Sequence, residues 1–278
     1  MKTPFPRSPE FRKALAGDPH FDLTRVALEI AADAHPDLDP DAALAAINAY
    51  ADRARARCPS GAKARQILGQ INWVLFVEEE FRGNELDYYD PENSFLDAVI
   101  GRKMGIPITL AVLYRAVAGR LGLPLEGINL PAHFMLRVVG EHPALFVDAF
   151  DSGALLDLPG CRERIARKLG GPVDLPNERF EPCPAADVVA RMLSNLKAIY
   201  LREPDFAAAL PFQRRLAALR PRDPIEQRDL GMFCLQVDRP GEAVDPLRRY
   251  LKDAPGNDDA EVVGAMLKAA LREVARRN

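Results

Sequence analysis

The sequence predicts an α+β domain followed by an all-α domain built from a helical repeat. Apolar residues recur at three- and four-residue spacing over residues 22–80 and again from about residue 185, which is the period of amphipathic helices. Between these parts, GINLPAHFMLRVV and ALFVDAF are short, apolar and rich in β-branched residues, as strands are. We therefore expect a first domain at residues 1–178 and a helical domain at residues 185–278.

The first domain is expected to consist of a helical lead-in at about residues 20–82 and a core at about residues 93–170. The lead-in has about three helices, in DLTRVALEIAADAH, DPDAALAAINAYADRARARC and AKARQILGQINWVLFVEEEF. The core opens with the helix SFLDAVIGRKMG, whose first free N–H groups Asn93 or Ser94 can accept. A long apolar helix then starts with proline in its first turn, at Pro107.

The two apolar runs after this helix are separated by Gly140, Glu141, His142 and Pro143, which predicts a β-hairpin. If the turn centres near Gly140–Glu141, position 133 lies opposite position 148. Cross-strand partners project from the same face of a sheet. His133 and Asp148 are therefore expected to be neighbours.

The C-terminal part repeats with a shift of 34 residues. Leu196, Tyr200, Ala209 and Pro221 recur as Leu230, Cys234, Ala243 and Pro255. This is the period of the tetratricopeptide repeat (TPR), a pair of packed helices. The second copy has the small residue Gly231 where paired helices pack closely, whereas the first has Lys197, so the first repeat is degenerate. The prolines and glycines of GGPVDLPNERFEPCP predict a linker before the repeats.

Composition and charge exclude several classes of protein. The hydrophobic content of 48% and charged content of 28% are normal for a globular protein. Thirty-seven Lys and Arg against 40 Asp and Glu give a net charge of −3, so no binding to nucleic acid or anionic membranes is expected. Prolines interrupt the N-terminal stretch where a signal peptide needs an apolar run, which predicts a cytoplasmic protein.

Cysteines and histidines are few. Cys58, Cys161, Cys183 and Cys234 lack CxxC spacing, which argues against a zinc site, a redox pair or a disulfide framework. With four histidines in the chain, a metal site built from His133 and scattered carboxylates is not expected, and no cofactor motif is present.

The middle region resembles transglutaminase-like enzymes and the related papain-like cysteine peptidases. These place Gly-x-Cys at the start of a helix, a helix end of the type Leu-Gly-Ile-Pro, a His on one strand and an Asp on the next. Counting back from Leu121-Gly122-Leu123-Pro124 sets His133 on the histidine, Asp148 on the aspartate and Pro107 on the cysteine. A thiolate there would gain from the helix dipole and the imidazole, but proline carries no nucleophilic atom.

Three other residues are candidates for the nucleophile. Thr109 lies two residues after Pro107, although its hydroxyl is far harder to ionise than a thiol and needs an activating base. Ser94 is expected to act as a helix cap, and Cys161 as a small buried thiol. Thr109, Ser94 or Cys161 would each have to approach His133 to act.

Longer stretches resemble the bacterial SirB-type family, named for an invasion regulator, over roughly residues 20–275. The resemblance rests on the series GN, Y, NS, GIPI, PAHF and D within NWVLFVEEEFRGNELDYYDPENSFLDAVIGRKMGIPITLAVLYRAVAGRLGLPLEGINLPAHFMLRV and FVDAFDSGALL, and on RMLSNLKAIYL. It implies a transglutaminase-like domain joined to a TPR-like tail, and makes Pro107 the family pattern.

Two functions follow as hypotheses. The first is a non-catalytic regulatory module that binds a protein or peptide around His133 and Asp148, with the tail as a second surface or as a part that packs on the first domain. The second is an acyl-transfer or amide-hydrolysing enzyme with His133 as base and Asp148 as its orienter. Its nucleophile would be Thr109, Ser94 or an approaching cysteine, or water activated directly by His133. DNA-dependent regulation is not expected, since no basic stripe is present.

Overall fold

The computed structural model describes residues 5–172 and 174–277. The chain divides into two compact units, with the division along the chain between Met192 and Leu193; Ala14–Gly17 group with the second unit. The predicted order of an α+β part followed by an all-α part is confirmed. Across the described ranges, no helix has the length and apolar character needed to cross a membrane.

The helical lead-in has the predicted helices and a short one before them. The helices are α1 (Pro9–Leu15), α2 (Leu23–Ala31), α3 (Pro40–Arg57) and α4 (Ala64–Asn72). Asp22 and Asp39 cap α2 and α3, because their carboxylates accept the first backbone N–H groups of those helices. The third predicted segment changes after Asn72 into a π-helix, Trp73–Glu78.

The loop that follows contains the strand β1 (Arg82–Gly83), which pairs in parallel with β2 (Met104–Gly105). A 3-10 helix (Pro91–Ser94) and α5 (Leu96–Arg102) lie between them. The expectation that Asn93 or Ser94 caps α5 is wrong. Phe95 holds the N-cap position without a side-chain bond, and the Asn93 amide instead donates to the Asp87 carbonyl at 2.7 Å.

Helix α6 (Pro107–Arg120) is the central element of the first unit, with proline in its first turn as predicted. Most of its residues are buried, including Tyr114, which is 0% exposed. The Tyr114 hydroxyl donates to Asn72 Oδ1 at 2.7 Å, and Asn72 Nδ2 donates to the Gly153 carbonyl at 2.8 Å. This chain of hydrogen bonds links α6, the end of α4 and the loop after Asp148.

The sheet has four antiparallel strands in the order β3 (Leu125–Leu130), β4 (His133–Val138), β5 (Phe146–Asp148) and β6 (Ala154–Leu156). The run GINLPAHFMLRVV is therefore a hairpin of its own, β3–β4, and not one strand. It turns at Pro131–Ala132, where Ala132 has φ 54°.

The predicted β4–β5 register is also shifted. Leu136 pairs with Val147 and Arg137 with Phe146, so the same register sets Asp148 opposite Met135 and not opposite His133. This register centres the turn on Glu141–His142, one residue later than expected. A shift of two residues keeps side chains on the same face, so His133 and Asp148 remain diagonal neighbours.

The predicted linker packs against this unit. After α7 (Leu158–Lys168), a 3-10 helix (Asn177–Phe180) places the Phe180 side chain, 2% exposed, in a core cluster with Met135, Phe146, Cys161 and Ile165. The Cys183 N–H donates to the Gly127 carbonyl of β3 at 2.8 Å. Burial of an aromatic ring outweighs the flexible composition of this segment, whose Val173 lies outside the described residues.

The repeat helices are α8 (Ala185–Arg202), α9 (Phe206–Leu219), α10 (Pro224–Gln236), α11 (Pro240–Asp253) and α12 (Ala260–Arg277). Gly231 on α10 faces Leu247 on α11, since a Cβ at position 231 would lie 2.5 Å from Leu247 Cδ2. Lys197, at the matching place of the first copy, forms ion pairs with Glu226 at 3.0 Å and Asp229 at 2.6 Å. The two repeats therefore pack differently at this position.

Replacing Gly231 with alanine is expected to destabilise the second unit by about 1–3 kcal/mol, because the added methyl group overlaps Leu247. Hydrogen exchange of the α10 and α11 amides measures this effect as faster exchange. The control is Gly264→Ala in α12, where a Cβ has nothing within 4 Å and alanine favours the helix by about 1 kcal/mol. Equal exchange in the two variants would contradict close packing at Gly231.

Candidate functional site

The structure joins His133 and Asp148 in one buried pair. His133 begins β4 and Asp148 ends β5, and His133 Nε2 lies 2.9 Å from Asp148 Oδ2. The two residues are 1% and 0% exposed. A carboxylate can only accept, so Nε2 carries the ring proton and, in the neutral imidazole, Nδ1 holds the lone pair.

Arg164 is the second partner of Asp148. Its Nη1 donates to Asp148 Oδ2 at 3.1 Å from α7, and its Nη2 pairs with Asp151. The other carboxylate oxygen, Asp148 Oδ1, accepts the Phe150 N–H at 3.1 Å. Burial by itself raises the pKa of Asp148, but the hydrogen bond from His133 and the nearby positive charges outweigh it, and the pKa lies below its ordinary value.

An aromatic ring lies beside the imidazole. Phe150 contacts His133 edge to face, with ring centroids 6.1 Å apart, and it contacts Tyr88 at 6.4 Å. Gly83 on β1 makes room for this ring, since a Cβ there would lie 2.5 Å from Phe150 Cε2. Lys168 Nζ lies 4.6 Å from the ring centroid. Phe150 thus contributes to the burial of His133.

The Thr109 side chain forms hydrogen bonds with the backbone at the start of α6. Its hydroxyl donates to the Asn93 carbonyl at 2.6 Å, and the Ile106 N–H donates to Oγ1 at 3.2 Å. The side chain is 1% exposed. The hydroxyl proton is therefore held by a backbone carbonyl and not by the imidazole, which is a local arrangement typical of Thr near helix ends.

The other proposed nucleophiles are buried as well. Ser94 Oγ and His133 Nδ1 each have no hydrogen-bond partner within the described part of the chain. Cys161 is 0% exposed in the core cluster, and burial raises the pKa of its thiol to about 12. Pro107, which the resemblance sets on the cysteine of the enzymes, carries no nucleophilic atom. Thus His133 Nδ1 meets neither Thr109, Ser94 nor Cys161 in a hydrogen bond.

The site contains the histidine–carboxylate bond of a catalytic arrangement but not the bond from the histidine to a nucleophile. In a nucleophile–base–carboxylate site, one ring nitrogen bonds the carboxylate and the other bonds the nucleophile. His133 and Asp148 form the first of these bonds, and the second is absent from the described residues. Nor do residues 5–172 and 174–277 contain three or more His, Cys, Asp or Glu side chains grouped so that they could hold a metal ion.

Sequence reasoning missed Arg164 and Phe150. Arg164 follows the buried Cys161 by three residues on α7, so a helical face pointing to the sheet could have indicated it. Phe150 follows Asp148 by two, but its role depends on the 3-10 turn Ala149–Asp151, which has no clear signal in the sequence. The Phe150 contact joins β4 to the turn after β5, and the Arg164 contact joins β5 to α7.

Comparison with known proteins agrees with this architecture. A model of the transglutaminase-like superfamily matches residues 41–194, and a tetratricopeptide repeat model matches residues 196–268. A UPF0162 protein of Xylella fastidiosa is 33% identical over 255 residues, which cover 90% of each chain.

Two further relatives differ in how much of the chain they share. Protein SirB1 of Salmonella typhimurium is 24% identical over 200 residues, covering 72% of this chain and 74% of that protein. F-box only protein 21 of Mus musculus is 35% identical over 150 residues, which are 50% of this chain and 22% of that protein. The chain thus belongs to the transglutaminase-like superfamily, within the SirB-type family that joins this domain to a TPR region.

Proposed function

We propose that this protein is a non-catalytic, regulatory module of the cytoplasm that binds a protein or peptide. The proposal rests on the observation that His133 Nδ1 forms no hydrogen bond with any of the candidate nucleophiles. A base without a nucleophile cannot start acyl transfer through a covalent intermediate. The buried pair then serves to hold the sheet and the loop around Phe150.

The surface near this pair supplies a place for contact. Leu86 is fully exposed and Tyr89 is half-exposed. Tyr89 contacts Tyr88, whose ring contacts Phe150. A hydrogen bond within the loop at residues 84–90 stabilises its conformation, because Asn84 Oδ1 accepts the Asp87 N–H at 3.0 Å. Exposed apolar and aromatic side chains on a loop of fixed conformation are typical of protein-binding surfaces.

The TPR region supports the same proposal from a second part of the chain. Stacked helix pairs of this kind present extended surfaces, and TPR repeats generally mediate contacts between proteins. The partner of this chain is proposed to be a protein or peptide and not a nucleic acid, given the net charge of −3.

Affinity capture from bacterial lysate tests the binding proposal. The full chain is compared with Leu86→Ser/Tyr89→Ser and with Val139→Ser, which changes another exposed apolar residue, 43% exposed, in the same unit. We expect a partner that the wild-type chain and Val139→Ser capture equally and that the double variant loses by about tenfold or more. Equal capture by all three would remove this loop as the binding surface.

A second measurement tests the absence of catalysis. Wild-type protein, Thr109→Val and His133→Ala are incubated with activated acyl probes, and intact mass detects any covalent acyl adduct. We expect no adduct on the wild-type chain, because the Thr109 hydroxyl is bonded to the Asn93 carbonyl. An adduct on the wild-type chain that disappears in either variant would favour the alternative, an acyl-transfer or amide-hydrolysing enzyme that uses His133, Asp148 and Thr109.

A further inference from the structure

A cavity of about 230 Å³ lies on the opposite side of the sheet from the His133 pair. Successive residues of a strand point to opposite faces, so Phe134 and Leu136 of β4 face this cavity while His133 and Met135 face away. A single buried water needs roughly 10–15 Å³ on the same measure. The space is therefore large enough for a small organic molecule.

The wall of the cavity is mainly apolar and comes from separate elements of the first unit. Helices α2, α6 and α8 and strand β4 contribute Leu23, Ala111, Val112, Phe134, Leu136 and Val188. An apolar wall of this kind favours a hydrocarbon chain, because removing apolar surface from water is favourable.

One cation, Arg115 of α6, lies on this wall. Its Nε donates to the Leu125 carbonyl at 2.9 Å, which fixes the direction of the guanidinium. Its terminal nitrogens, Nη1 and Nη2, contact no acceptor in residues 5–172 and 174–277. Arginine presents these two groups as a fork that matches a carboxylate. Burial also lowers the pKa of Arg115, as expected for a cation that has lost part of its hydration.

The other titratable side chains on the wall, Glu126 and Cys183, do not neutralise Arg115 by a direct hydrogen bond. Glu126 is exposed on the rim. The negative charges of Asp22 and Glu126 partly offset the effect of burial on the pKa of Arg115, but the hydrogen bond of Arg115 in the described part of the chain goes to the Leu125 carbonyl and not to either carboxylate. Burial raises the pKa of the Cys183 thiol to about 11. At neutral pH Cys183 is therefore an uncharged, mildly apolar part of the wall.

We propose that this cavity binds a small carboxylic acid with an apolar chain, whose carboxylate pairs with Arg115 and whose chain contacts the apolar wall. A charge-assisted pair with a fixed guanidinium orients the ligand, and the hydrocarbon contacts give most of the affinity. The cavity lies apart from the His133 pair, so this proposal does not depend on the absence of catalysis.

Calorimetric titration of the full chain with octanoate tests the proposal. Octanol and octylamine serve as comparison probes, since they share the chain and change only the head group. We expect octanoate to bind at least about tenfold more tightly than either, because only its head group accepts two hydrogen bonds from Arg115. Equal binding of octanol, tighter binding of octylamine or no binding of octanoate would each overturn the proposal.

Variants of the protein locate the site. Arg115→Met is expected to weaken octanoate binding by about tenfold or more, whereas Arg120→Met, with the same charge change on the same helix but off the cavity wall, leaves binding unchanged. Ala185→Trp places a large ring at the partly exposed start of α8 and is expected to block binding without changing Arg115. Unchanged octanoate binding in Arg115→Met would overturn the pairing with Arg115, and unchanged binding in Ala185→Trp would overturn the assignment to this cavity. Circular dichroism verifies that each variant is folded.

Discussion

Replacing Asp148 with alanine is expected to lower the free energy of unfolding of the first unit by about 3–5 kcal/mol, because it leaves buried groups without their partner. His133 and Arg164 both donate to Asp148 Oδ2, and the Phe150 N–H donates to Oδ1. Urea denaturation followed by tryptophan fluorescence measures the change, since Trp73 is the chain's single tryptophan and lies in this unit.

The matched control is Asp151→Ala. Asp151 pairs with the same Arg164, but its side chain is 53% exposed, and exposed ion pairs contribute only about 0–1 kcal/mol. A loss in Asp148→Ala no larger than that in Asp151→Ala would show that the buried pair does not stabilise the sheet.

Acid should remove the stabilisation that Asp148 provides. The pKa of Asp148 is lowered in the folded chain, so its contribution is fully present above the unfolded pKa of about 3.9 and is lost as pH falls through the folded value. The difference in stability between wild type and Asp148→Ala is therefore expected to shrink as pH falls below about 4. A difference that grows with acid would contradict this assignment of charge.

Replacing Gly153 with alanine is expected to destabilise the same unit by about 2–5 kcal/mol, the sum of two costs. Gly153 has φ +73°, a conformation that costs an L-residue about 1–2 kcal/mol. A Cβ there would also lie 2.0 Å from Asn72 Oδ1, which breaks the hydrogen bonds between Asn72, Tyr114 and the Gly153 carbonyl. Trp73 fluorescence during urea denaturation again measures the loss.

Gly140→Ala separates the two costs. Gly140 has φ +79° but a Cβ there has nothing within 4 Å, so only the backbone cost of about 1–2 kcal/mol remains. Similar losses in the two variants would mean that Asn72 moves aside at little cost and that the hydrogen-bonded chain through Tyr114 does not hold the loop after Asp148.

Local features of the sequence determined the helices and the order of the two parts. Helical periodicity located α2, α3 and α6, and proline in the first turn marked where α6 begins at Pro107. The 34-residue repeat identified the TPR region, because each repeat is a local unit that a sequence encodes directly. Alternation along strands also placed His133 and Asp148 on one face, which survives a register shift of two residues.

Contacts between distant elements decided the rest. The burial of Phe180 depends on packing with Cys161 and Ile165 of α7, which no local pattern reveals. The β3–β4 turn at Pro131–Ala132 follows from the pairing of Leu130 with His133.

The chemistry of the candidate site was decided in the same way. The sequence resemblance predicted the order of His133 and Asp148 and aligned Pro107 with the nucleophile of the enzymes. The ion pair between Arg164 and Asp148 and the hydrogen bond from the Thr109 hydroxyl to the Asn93 carbonyl are visible only in the tertiary structure. The same is true of His133 Nδ1, which has no hydrogen bond to a nucleophile in the described residues. The physical reason is that hydrogen-bond partners are set by the three-dimensional approach of side chains, whereas a sequence specifies directly only neighbours along the chain.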